Sequence, residues 1–165
     1  MATWPTVTDD DGSGTTGTIL DQALFNSVRD YIGAAWTDVT YSSGNFTASG
    51  SMTWTVGSGD QACYRWVEVG KTMVVALFLN ATSVGGSTDA ELRVAVPNSR
   101  TIGTTGHSYA GCGVVSALDD GTHIASEYVA SPGNTYVSLI KNFGVAWNQS
   151  NNNTYIACTM IFPIV

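Results

Sequence analysis

Apolar residues recur along this chain with two different periods, and the change from one to the other divides it. Leu20, Leu24, Val28 and Ile32 fall at i, i+4, i+8 and i+12, with Ala23 and Tyr31 beside them on one face, the spacing of an amphipathic helix. Asp21, Gln22, Asn26, Arg29 and Asp30 lie mostly elsewhere. Thr18 and Asp21 match a capping box, in which the hydroxyl accepts from an early backbone N–H and the carboxylate reaches back. Gly33 is a C-terminal stop. The pattern predicts a helix over 19–33. Residues 1–18 hold Trp4, Pro5, Asp9-Asp10-Asp11 and glycines at 12, 14 and 17 without any period, and are read as an extended arm.

From Trp36 onward the period shortens to two. Strands are expected near 37–41, 45–48, 51–56, 62–69, 72–82, 89–96, 109–117, 122–130, 134–140 and 153–163. Turn chemistry separates them, among others Gly57-Ser58-Gly59-Asp60, Asp119-Asp120-Gly121 and Ser131-Pro132-Gly133-Asn134. Short strands at this rhythm make an all-β antiparallel sandwich or barrel over 36–165.

Two strands depart from simple alternation. In 73–79 both alternating sets are apolar, Met73/Val75/Leu77/Leu79 and Val74/Ala76/Phe78, so neither face suits water. The last strand repeats this, with Ile156/Cys158/Met160/Phe162/Ile164 on one face and Tyr155, Ala157 and Ile161 on the other. By contrast 91–96 sets Glu91 and Arg93 against Leu92, Val94 and Val96, as a half-exposed strand should. A helix as short as 19–33 is marginal alone in water. It packs either on its own β domain or on sister copies, and the pattern leaves both open.

Composition narrows the class. Only 12% of residues are charged, about half of the usual ~25%, so neutral hydroxyls and amides supply the polarity. The net charge of −7 without a basic cluster argues against nucleic acid as a partner, because phosphate binding needs positive charge. No apolar run is long enough to span a membrane, and the N-terminus lacks the features of a secretory signal. Cys63, Cys112 and Cys158 are odd in number and widely spaced, which fits free thiols better than a zinc site or a disulfide framework.

No catalytic, metal or cofactor motif emerges. A G-x-S-x-G elbow and a Walker loop are both missing. His107 and His123 have no partner nearby in sequence, although either could meet Asp119, Asp120 or Glu127 in space. Asp9 to Gly14 is oxygen-rich but lacks the spacing of a calcium loop. Trp147, beside the amides Asn148 to Asn153, is the one candidate glycan contact, against the plainer reading of a rim tryptophan covering the core.

The runs TTGTILDQALFNSVRDYI, WTDVTYSSGNFTASGSMTWTV, GKTMVVALFLNATSVGG and ELRVAVP resemble small head-fibre, decoration or tail-fibre virion proteins of tailed bacteriophages. The resemblance covers most of the chain as a pattern. It implies an N-terminal arm and helix that attach to a capsid or tail protein, and a C-terminal jelly-roll knob that forms a homotrimer. Leu20, Leu24, Val28 and Tyr31 would then lie near the three-fold axis or the particle. Met73, Val75, Leu77, Tyr155 and Ile161, on the two doubly apolar strands, would line the subunit interface. The implied function is non-enzymatic: a structural protein of the virion, assembled in the host bacterial cytoplasm, aiding adsorption through a host surface glycan. A free carbohydrate-binding module is the alternative. Long fibres carry a repetitive shaft, and this chain has none, so a compact capsid decoration or a short tail tip fits better.

Overall fold

The computed structural model describes residues 35–141 and 144–165. The arm 1–18 and the helix over 19–33, with Leu20, Leu24, Val28 and Tyr31, lie outside the described residues. The chain divides into two units, Met1–Ala35 and Trp36–Val165.

The second unit is all-β. Its strands are β1 (Thr37–Asp38), β2 (Phe46–Ala48), β3 (Met52–Thr55), β4 (Gln61–Val69), β5 (Thr72–Gly86), β6 (Glu91–Ala95), β7 (Gly111–Asp119), β8 (Thr122–Ala130), β9 (Tyr136–Lys141) and β10 (Ser150–Pro163). They form one antiparallel sheet in the order β1-β4-β5-β10-β7-β8-β9-β6-β2, and β3 pairs with β5. Because β2 pairs with β6 while β3 pairs with the far end of β5, the short segment 46–55 joins distant parts of the order. The sheet therefore curls around a single core. Among the described residues no helix is long and apolar enough to cross a membrane.

Local chemistry sets the turns. Asp120 and Gly121 link β7 to β8 with Asp119 opposite Thr122, and both have positive φ, 48° and 76°. Two left-handed residues in a two-residue loop match the right-handed twist of the flanking strands, and Asp-Gly accepts that backbone readily. In the middle of β5, Ala81 takes φ 51° where the register against β10 shifts between Thr154 and Ile156, a bulge that resets which residues face inward. The core side of that bulge is polar and satisfied. Trp54 Nε1 donates to Thr82 Oγ1 at 2.9 Å, and Thr82 Oγ1 donates to the Thr154 carbonyl at 3.0 Å.

The core takes one alternating set from each strand except β1, whose two residues are exposed. Met73, Val75, Leu77 and Leu79 on β5 face Ile156, Met160 and Phe162 from β10, with Leu92, Val94, Val137 and Leu139 from the other side of the curl. Phe46 packs edge-on against Trp54, ring centroids 5.5 Å apart. The Tyr64 hydroxyl donates to the Ala95 carbonyl, linking β4 to β6 across the core.

Where β7 and β10 part, a side chain replaces the ladder. Their pairing is regular only over Ser116–Leu118 and Tyr155–Ala157. Farther along, the Tyr128 hydroxyl accepts from Ile161 N at 3.1 Å and donates to Ile161 O at 3.4 Å. Tyr128 can lie there because Gly113 has no side chain: a Cβ at that position would stand 2.6 Å from the Tyr128 ring.

Candidate functional site

Alternation along the strands decides which of the doubly apolar sets reaches the surface. Met73, Val75 and Leu77 point inward and are buried, so these three cannot line a subunit interface. Core packing claims them. The set left over for the outside is Val74, Ala76 and Phe78. On β10, Tyr155 and Ile161 do lie on the outer side, half-buried and exposed respectively.

Because β5 and β10 are neighbours, their outer sets merge. Val74 stands opposite Ile161 and Phe78 opposite Ala157, while Val67 of β4 pairs with Val74 and Cys63 with Phe78. On the far side of β10, Ser116 pairs with Ala157 and Leu118 with Tyr155. Val114 of β7 is 85% exposed, Ile161 52% and Phe78 42%. Contiguous exposed apolar surface of this kind marks contact sites in soluble proteins. The outer positions of β4, β5 and β10 hold a single charge, Arg65, whose guanidinium lies 5.0 Å over the Trp36 ring.

The outer face of β6 and β9 differs. Glu91 accepts from Arg93 Nε at 3.0 Å and from Ser138 Oγ at 3.1 Å, and the Arg93 guanidinium lies 4.7 Å over the Tyr136 ring. The polar groups on this face satisfy one another.

Trp147 is fully buried. Its Nε1 donates to the Ala90 carbonyl at 3.2 Å and its backbone N to the Asp89 carbonyl at 3.0 Å. A glycan cannot stack on it, so the candidate glycan contact is withdrawn. Its polar sequence neighbours remain outside while the indole fills the core.

One buried polar cluster went unread in the sequence. Asp119 and Lys141 form an ion pair of 2.5 Å with both side chains almost wholly buried, and Asn148 N donates to the two carboxylate oxygens at 3.1 and 3.2 Å. A signal existed: Val115, Ala117 and Asp119 share one strand face, as do Val137, Leu139 and Lys141, so opposite charges fell at two core-facing positions. This pair takes Asp119 away from any partnership with a histidine. His107 and His123 are both exposed. Among the described residues no three His, Cys, Asp or Glu side chains gather as a metal site would require.

The cysteines are free thiols. Cys112 is exposed on the outer side of β7. Burial pushes the Cys158 thiol up to about 12, which keeps it protonated and unreactive at neutral pH. At the rim, Glu68 of β4 receives Arg100 Nε and Nη2, each at 2.9 Å, and this guanidinium holds its carboxyl below the usual carboxylate range.

Comparison with known proteins adds no relative to this geometry. No protein-family model, curated protein or solved structure matches this chain.

Proposed function

We propose that this chain is a non-enzymatic structural protein of a tailed-phage virion, displayed on the particle surface as capsid decoration, head fibre or short tail fibre. Residues 1–33 attach it to a capsid or tail protein, and the β unit, a knob of jelly-roll type, self-associates as a homotrimer. The observation that carries this reading is the outer face of β4, β5, β10 and β7. It exposes Val114, Ile161 and Phe78 with a single cation, Arg65, towards one side, whereas the outer face of β6 and β9 is closed by its own polar network. A face of that composition serves assembly better than solvation. Adsorption to a host surface glycan belongs to the same reading through exposed loops, not through Trp147.

The test is a cryo-EM map of the particle whose genome encodes the chain, together with the mass of the purified full chain by analytical ultracentrifugation. Density for the chain on the particle and a mass three times that of the monomer are expected. A strict monomer that is absent from the particle would overturn the proposal. The carbohydrate-binding alternative has lost the exposed indole that motivated it.

A further inference from the structure

We infer that the apolar outer face is a contact between copies of this chain set side by side about an axis parallel to the strands, with Arg65 of one copy against Glu127 of the next. This contact rests on the self-association proposed above and fixes its register.

The register comes from the sheet itself. Arg65 pairs with Ala76, and Ala76 with Thr159. Beyond Ala157, where the Tyr128 hydroxyl takes the place of the ladder, Gly111 still lies against Phe162, so the register of Ala157 with Ser116 holds and Thr159 is level with Val114, which pairs with Glu127. Arg65, Ala76, Thr159, Val114 and Glu127 thus form one row across β4, β5, β10, β7 and β8. Arg65 lies towards one end and Glu127 towards the other, four strands apart in the sheet order. Between them lie only small, hydroxyl or apolar side chains. Both charged residues are exposed. Asp38 stands beyond Arg65 in the same row on β1, at the rim.

A rotation about an axis parallel to the strands keeps every residue at its height. The flank of one copy that carries Arg65 therefore meets the flank of the next that carries Glu127. Such a head-to-tail contact closes into a ring when the rotation divides the full turn.

Electrostatics selects the occupant. The chain carries a net charge of −7, so two copies repel at most orientations. The outer positions of β4, β5 and β10 bear no Asp or Glu. Copies approaching through that face bring together outer positions of β4, β5 and β10 that carry no like acidic charge, and the Arg65–Glu127 link sets the register.

Sedimentation of the full chain tests this with Arg65→Glu, Glu127→Arg and the double swap. Each single reversal should raise the dissociation constant about tenfold or more by placing like charges together. The double swap should recover most of that loss, because the link returns with its sign inverted. Circular dichroism of the dissociated chains should show all three folded, with Arg65→Glu at some cost in stability because it gives up Trp36 and sets a second carboxylate opposite Asp38, and a single variant that misfolds is replaced by Arg65→Gln or Glu127→Gln. If copies assemble but the double swap gives no recovery, this register is wrong and the proposed homotrimer survives. A wild-type chain that stays monomeric at millimolar concentration overturns both the contact and the homotrimer, and leaves the face to a different partner.

Discussion

The two sides of the curled sheet solve the same problem in opposite ways. Strands β5 and β10 are apolar on both faces: Met73, Val75, Leu77 and Met160 go inward, while Val74, Phe78 and Ile161 go outward. Strands β6 and β9 carry charge on both faces, with Glu91 and Arg93 outside and Lys141 inside against Asp119. Register against neighbours therefore has different guarantors. On β9 a buried cation tolerates one position only, because a slip by one residue would carry it to the other face. On β5 and β10 either face would accept the core, and what fixes the choice is the fit of the inner set together with the bulge at Ala81.

The largest effect should come from the buried pair. Lys141→Met leaves Asp119 buried without its cation and, among the described residues, held by Asn148 N alone, and should cost about 3–5 kcal/mol, read by urea denaturation. Replacing both partners, Lys141→Met with Asp119→Leu, should recover part of that loss. Full recovery is not expected, because the Asn148 N–H then loses its acceptor. A single substitution costing under about 1 kcal/mol would show that the pair behaves as a surface one and would remove the contrast between the two sides.

Next in size is a test on neighbouring identical residues. Val115 is buried and Val114 is 85% exposed. Val115→Ala removes buried methyl groups and leaves a cavity, for about 2 kcal/mol. Val114→Ala should stay within about 0.5 kcal/mol when measured on dissociated chains. The same substitution at Val114 should weaken self-association in sedimentation, which a residue without a partner would not do.

Much of this contrast is legible in the sequence, and the misses have a common cause. Alternation places the strands, and Asp120-Gly121 announces its hairpin, because both signals are local. The doubly apolar character of 73–79 and 155–163 is equally plain. Which set faces inward is not, since two apolar sets give alternation nothing to choose between. Met73, Val75 and Leu77 are thus expected at the surface, where core packing has in fact taken them inside. Trp147 misleads for a similar reason: its neighbours in sequence are amides, but the carbonyls of Asp89 and Ala90 that hold it come from a segment far away in the chain. The substitution of the Tyr128 hydroxyl for ladder bonds over Gly113 is likewise a three-strand arrangement that no single window contains.

On the polar side, Glu91→Ala should cost about 1 kcal/mol, because Arg93 and the Ser138 hydroxyl lose a shared acceptor in a half-exposed setting. Chemical denaturation would measure it. Self-association should be unaffected. A loss of assembly in this variant would place the contact on the wrong side of the sheet.

The smallest effect lies where the two sides meet at the rim. Glu68 belongs to β4 and Arg100 follows β6, so their ion pair ties the apolar side to the polar one. The hydrogen bonds from Arg100, and then the one from Asn98, hold the Glu68 carboxyl below its usual value. A depressed folded value means that the charged form is favoured in the native state. The stability it contributes is therefore present above the unfolded value of about 4.3 and is lost as pH falls through the folded one. Thermal melts of the wild type and Glu68→Gln between pH 7 and pH 2.5 should differ most at the neutral end and converge in acid. If the two curves stay parallel down to the lowest pH, the carboxylate is not what joins the sides, and the link from Tyr64 to the Ala95 carbonyl is left as the principal tie between β4 and β6.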